Sequence, residues 1–169
     1  MAEDTQLIRR MKNGDEDAID EFVRKYYPQI LQYCRLHSPD LHSAEDMTQE
    51  TFLRFFRTLP NYRHYGKAAN YLYVIAGNCC RDDWRRRKPL SLEDVPEPSR
   101  EDMEELAQVR LALSQLPEEE QEVATLFFVQ ERKQTEIAKI LGIGLPLVKY
   151  RVGRARKMLR TLLGEEDNP

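Results

Sequence analysis

The chain has 169 residues, 41% of them hydrophobic and 33% charged, enough for one large or two small domains with a modest core. No run of about 18 apolar residues occurs, and no apolar stretch follows the N-terminal charges, so the sequence offers neither a membrane span nor a signal peptide. Three cysteines, Cys34, Cys79 and Cys80, are odd in number and include an adjacent pair, which fits reduced thiols in the cytoplasm rather than a disulfide framework.

The net charge is only −3, but it is unevenly spread. Residues 93–122 hold eleven acids against two bases, a local −9. Residues 81–88, RDDWRRRK, hold five bases against two acids, and residues 145–160 hold six bases and no acid. Two basic clusters flanking an acidic middle are a polyanion binder's pattern, since local fields outweigh the total.

Taken in order, residues 4–13 read as a short helix ended by Gly14. From Asp17, the positions Ile19, Phe22, Val23, Tyr26, Ile30 and Leu31 keep helical spacing to about Leu36, with Pro28 expected to kink or split the helix. SPDLHS at 38–43 is a turn cluster, with Ser43 as the expected N-cap of the next helix. That helix, AEDMTQETFLRFFRTL, puts Ala44, Met47, Thr51, Phe55 and Thr58 on one face. Its far side carries Gln49, Leu53 and Phe56, flanked by Asp46 and Glu50. Apolar content on two faces fits either a central core helix or one that binds a partner.

Pro60 ends that helix. The loop 61–67, NYRHYGK, holds two tyrosines, a histidine and two cations around a glycine, a composition suited to unpaired bases and phosphates. A helix follows over 68–88, with Leu72, Ile75, Ala76 and Cys79 facing inward. Residues 89–102 carry three prolines and many acids and no helical stripe, the mark of a linker and domain boundary. Beyond it come a helix over about 103–115 and an acid-led helix after Pro117, with Val123, Leu126, Phe127 and Val129 as core residues.

Residues 134–160 then form a helix-turn-helix pattern. Ile137, Ala138 and Leu141 supply the first helix's inner face, and Gly142 the left-handed stop. The second helix starts near Leu145 with Pro146 in its first turn. Val148, Val152, Ala155, Leu159 and Leu162 make its apolar stripe, while Lys149, Tyr150, Gly153, Arg154 and Lys157 point the opposite way. A solvated helix face mixes charge signs for i,i+4 pairing, and this one does not. It is the candidate reader of a DNA major groove.

Chemistry has no evident seat. There is no nucleophile elbow, phosphate-binding loop or zinc-protease motif. Cys34, His37 and His42 make a poor partial metal set, and Cys79 and Cys80 point about 100° apart on their helix. No cofactor, metal or catalytic residue is expected.

The order of these parts resembles the extracytoplasmic-function sigma factors of bacterial RNA polymerase. AEDMTQETFLRFFR is similar to the family's polymerase-clamp segment, and YLYVIAGNCCRDDWRRRK to its −10-reading helix. LPEEEQEVATLFFVQERKQTEIAKILGIGLPLVKYRVGRARKMLR looks like its −35-reading domain. The likeness covers about residues 15–88 and 106–163. It implies an all-α chain of two small helical domains, region 2 over 1–88 and region 4 over 105–169, joined by an acidic linker at 89–104.

It also implies roles. Asp46, Gln49, Glu50, Leu53 and Phe56 would meet core polymerase. Tyr62, Arg63, His64, Tyr65 and Lys67 would capture a flipped −10 base, with Asn78, Arg81, Arg85 and Arg86 on the adjoining strand. Lys149, Tyr150, Arg151, Gly153, Arg154 and Lys157 would contact the −35 element. Val74 and Gly77 stand where many relatives carry bases, and Tyr150 and Gly153 replace commoner choices on the reading face. The implied protein is a cytoplasmic monomer without catalysis of its own, partnered by core polymerase, promoter DNA and an anti-sigma factor. The competing reading is a helix-turn-helix regulator acting without polymerase, which would need no outward face at 46–56.

Overall fold

The structure is a computed structural model, describing residues 2–63, 67–87 and 103–164. All its regular elements are helical: α1 (Ala2–Lys12), α2 (Glu16–Leu36), α3 (Leu41–Thr58), α4 (Ala68–Arg87), α5 (Met103–Ser114), α6 (Glu118–Ala124), α7 (Gln134–Leu141) and α8 (Leu145–Leu162). A short 3₁₀ turn, Leu59–Asn61, follows α3, and a π turn, Thr125–Val129, continues α6. The chain divides into two compact units, Met1–Pro98 and Ser99–Pro169.

In the first unit α2, α3 and α4 pack on one another and α1 lies against α2. The core is aromatic: Phe22 stacks on Phe55 at 4.9 Å and meets Phe52 edge-on at 6.3 Å. Ile30, Leu72, Tyr73 and Ala76 fill the space around them. Two threonines are fully buried in α3, and each satisfies its hydroxyl on the carbonyl four residues back: Thr48 to Ala44 and Thr51 to Met47, both at 2.7 Å. The buried Asp4 carboxylate pins α1 to α2, accepting hydrogen bonds from Lys25 Nζ at 2.8 Å and from the Tyr26 hydroxyl.

Several local expectations need correcting. Pro28 does not split α2, which runs unbroken past it. Pro28 and Arg24, whose carbonyl loses its usual partner four residues on, are both exposed, so the break falls on the solvent side of the helix. The cap of α3 is Asp40, not Ser43, whose N–H donates to the Asp40 carboxylate at 2.8 Å. The buried stripe of α2 is Ala18, Phe22, Tyr26, Ile30 and Tyr33, with Ile19, Val23 and Leu31 only half-buried. Thr58 is exposed.

In the second unit α6 packs along α8, and α7 crosses α8. Val123, Leu126, Ile137, Val148, Val152 and Ala155 are its buried centre. Ile137 and Ile140 are the buried pair of α7, whereas Ala138 and Leu141 are half-buried. Leu162, expected on the apolar stripe, is 48% exposed at the last turn of α8.

All three thiols are buried. Burial raises the Cys79 pKa, and a hydrogen bond shared with Cys34, reinforced by burial, raises that of Cys80. They act as small packing groups where α2 and α4 meet α3, and no metal-binding group of His, Cys, Asp and Glu forms among the described residues.

Candidate nucleic-acid interface

The sequence points to three surfaces. On α3, Asp46, Gln49 and Leu53 share one outward strip, and Leu53 is 51% exposed although large and apolar. Phe56, half-buried, tucks its ring against Phe22, Phe52 and Phe55. Glu50 is tied into an intramolecular network: Arg54 Nε donates to it at 3.0 Å, and Arg54 also reaches Asp82 on α4 at 3.4 Å. Glu50 thus braces α3 against α4 through Arg54.

The loop after α3 is only partly among the described residues; His64, Tyr65 and Gly66 lie outside them. Arg63 is exposed and Lys67 half-buried. Tyr62 departs from its expected role as an open stacking platform. Its ring stacks on Tyr71 at 5.2 Å and meets Phe55 at 5.3 Å, so at least one face is already covered, and burial raises its phenol pKa. Lys12 Nζ donates to the Tyr62 carbonyl, tethering the root of the loop to α1.

Along α4, Asn78, Arg81, Arg85 and Arg86 are exposed, and Arg81 Nη2 donates to Asn78 Oδ1 at 2.8 Å. Gly77 has a steric reason: a Cβ there would come within 3.2 Å of the Tyr33 hydroxyl. Among these cations sits Trp84, 65% exposed, a residue the sequence reading does not single out. A lone indole inside a run of arginines was the signal available in the sequence.

The helix-turn-helix has the expected turn. Gly142 closes α7 at φ 67°, a left-handed conformation costly for any residue with a Cβ, and its N–H returns to the Ala138 carbonyl. Glu136 reaches back to accept the Lys133 N–H at 3.3 Å. Gly144 caps α8, with Pro146 in the first turn. Lys149, Tyr150, Gly153, Arg154 and Lys157 all face solvent, opposite the buried Val148, Val152 and Ala155.

Arg151 does not share that face. Its side chain is 17% exposed and pairs with Glu119 of α6 at 3.5 Å. At about 100° per residue it lies only about 60° from the centre of the apolar stripe, which explains the burial. The next acid, Glu120, is buried and lies 3.6 Å from Arg154 Nε. Arg154 Nη1 in turn donates to the Tyr150 hydroxyl at 3.3 Å, and the guanidinium lies 5.9 Å from the Tyr150 ring centre. Tyr150, through its hydrogen bond and then its charge, and after it the nearby Glu120 charge raise the Arg154 pKa. Sequence reading placed both glutamates only at a helix start; their pairing with α8 depends on how the two helices cross.

A helix-turn-helix unit with an acid-free outer face, joined to a helical unit with an outward apolar-acidic strip, has the two-part build of a promoter-directing factor. The Sigma-70 region 2 family matches residues 22–89, and the Sigma-70, region 4 family matches residues 106–159. An ECF RNA polymerase sigma factor, SigM of Mycobacterium tuberculosis (strain ATCC 25618 / H37Rv), is 32% identical over 95% of this chain and 85% of its own length. SigW of Bacillus subtilis (strain 168), likewise an ECF RNA polymerase sigma factor, is 29% identical over 92% of this chain and 94% of its own. Among solved structures, CnrH in complex with the cytosolic domain of CnrY superposes with a TM-score of 0.77 at 26% identity, covering 95% of this chain and 97% of that one. The fold is also that of the sigma factor RpoE bound to the anti-sigma factor NepR from Bartonella quintana, at a TM-score of 0.71 and 20% identity over 88% of this chain and 98% of that one. The chain belongs to the extracytoplasmic-function (ECF) sigma factors, the proteins that direct bacterial RNA polymerase to promoters.

Proposed function

We propose that the two units divide promoter recognition between them. Residues 1–88 form the polymerase-binding and −10 unit, residues 105–169 the −35 unit, and 89–104 the connection. Core polymerase binds the strip of Asp46, Gln49 and Leu53, with Phe56 and Glu50 supporting it from the half-buried side. The cationic end of α4, with Asn78, Arg81, Arg85 and Arg86, follows the −10 strand, and Arg63 and Lys67 hold the loop's phosphates. Lys149, Tyr150, Gly153, Arg154 and Lys157 enter the −35 major groove, and Arg151 buttresses α8 from its flank.

The observation that carries this reading is α8: six cations and no acid, with an apolar stripe buried on the other side. Like-signed charges along one helix raise a local field that favours phosphates, even with Arg151 and Arg154 partly offset by Glu119 and Glu120. The outward Leu53 between Asp46 and Gln49 is the second support, since a stand-alone regulator has no use for that strip. Two solved relatives are complexes with a second protein, an anti-sigma factor in one of them, and we extend such control to this chain. We place its action in the cytoplasm, where core polymerase is; none of the described helices is long and apolar enough to cross a membrane. The protein supplies specificity and strand capture and leaves the chemistry to polymerase.

Run-off transcription with core polymerase on genomic fragments tests the reading. Charge reversal at Asp46 combined with Gln49→Ala should keep helicity and melting temperature and abolish polymerase binding. A double variant that unfolds would assign the strip to the core instead.

A further inference from the structure

Arg154 is the obvious base reader on α8, because its fork matches guanine bidentately. Its surroundings argue otherwise. Nε lies 3.6 Å from the carboxylate of Glu120, a group only 4% exposed. Nη1 donates to the Tyr150 hydroxyl at 3.3 Å. Glu120 therefore holds the Nε side of the fork by charge, and Tyr150 takes one Nη1 proton, so the guanidinium is drawn toward α6 and the Tyr150 ring. The Tyr150 side chain, 59% exposed, stands outward beyond this pair, with the 47% exposed Arg154 side chain held beside its ring. Because its oxygen accepts from Arg154, the phenolic proton is left to donate outward.

We propose that Tyr150 is the base-reading residue of the −35 helix, with Arg154 as its buttress and the buried Glu120 as the anchor that fixes both. The inference rests on the −35 reading of α8 and names the specificity-determining group within it. A phenol that donates selects a major-groove acceptor: guanine O6 or N7, adenine N7 or thymine O4. It disfavours cytosine, whose N4 offers only donors. Glu120 sits on α6, thirty residues before Tyr150, and acts solely through Arg154. It is a positioning residue, and its charge also tempers the field that attracts phosphates to α8.

This arrangement has a consequence that a merely structural glutamate lacks. Removing the Glu120 charge should loosen specificity while strengthening sequence-independent binding, because one acid leaves a cationic surface. Loss of folding would weaken both together.

The test uses holoenzyme assembled from the full chain and core polymerase. It measures affinity for a promoter duplex, for every single base-pair change across its −35 element, and for a scrambled duplex, at two salt concentrations. Circular dichroism melting of each free variant accompanies it. Tyr150→Phe should flatten the preference at one base pair at least fivefold and leave scrambled binding unchanged. Glu120→Gln should flatten the same base pair and raise scrambled binding. If Glu120→Gln unfolds, Arg154→Gln takes its place and should flatten that same base pair. Full preference retained in Tyr150→Phe would overturn the proposal, as would Arg154→Gln flattening a different base pair. Wild-type holoenzyme without preference anywhere in the −35 element would instead remove the −35 reading of α8, and the proposal with it.

Discussion

Single residues in this protein divide by what the neighbouring helices leave open to them. Lys149 stands clear on α8, so Lys149→Ala should reveal its role directly. A base contact would cost about 1–3 kcal/mol at one base pair, whereas a phosphate contact would lower the salt slope by about one across all sequences. Binding to promoter and scrambled duplexes over a salt series separates the two, and no change in either would take α8 out of the groove. The cysteines make the opposite case. With all three buried and the Cys79 and Cys80 pKa values raised, alkylation by iodoacetamide should be slow in the folded protein and rapid in denaturant. Fast labelling of native protein would contradict the burial.

The same scale shows what the sequence could reveal of the site. The outward position of Lys149, Tyr150, Gly153, Arg154 and Lys157 was legible because a helix's periodicity fixes it. The flanking position of Arg151 was legible too, from its angle to the apolar stripe, but the partner Glu119 was not. Tyr62 was unreadable for a related reason: its packing on Tyr71 and Phe55 depends on α3 and α4 lying side by side. Composition shows which groups a loop has, not which of them the core claims.

At the level of elements, the turn between α7 and α8 concentrates the most structure in the fewest residues. Gly142 holds φ 67° and has open space where a Cβ would be, so conformation rather than crowding demands glycine. Gly142→Ala should cost about 1–2 kcal/mol, the left-handed penalty for an L residue. Thermal or urea unfolding of the variant measures it, and a neutral result would show that the turn relaxes. This stop was visible in sequence because a helix C-cap is a local event. The caps and breaks that involve solvent were harder. Pro28 reads as a helix breaker, yet it costs little where the orphaned Arg24 carbonyl faces water, and only tertiary structure shows which side is wet. Asp40 and Ser43 are both good cap residues, and Asp40 takes the place because its carboxylate accepts the Ser43 N–H at 2.8 Å.

Across the whole molecule, the all-helical architecture followed from periodicity, because each amphipathic stripe is long enough to declare its helix. The family followed from the order of the parts rather than from any one of them. A helix-turn-helix alone is common, whereas an outward apolar-acidic strip, an arginine-rich helix end and a helix-turn-helix in that sequence are not. The net charge conceals this design, since the acids of residues 93–122 offset the cations on which DNA binding depends.

The central claim is that this chain directs polymerase to promoters rather than acting on DNA alone. Reconstituted transcription with core polymerase, the purified chain and a library of genomic fragments tests it most directly. The expected result is transcription only when both proteins are present, from start sites sharing a pair of upstream elements, and lost with the Asp46 and Gln49 double change. Sequence-specific DNA binding by the chain alone, with no association with core polymerase and no transcripts, would contradict it.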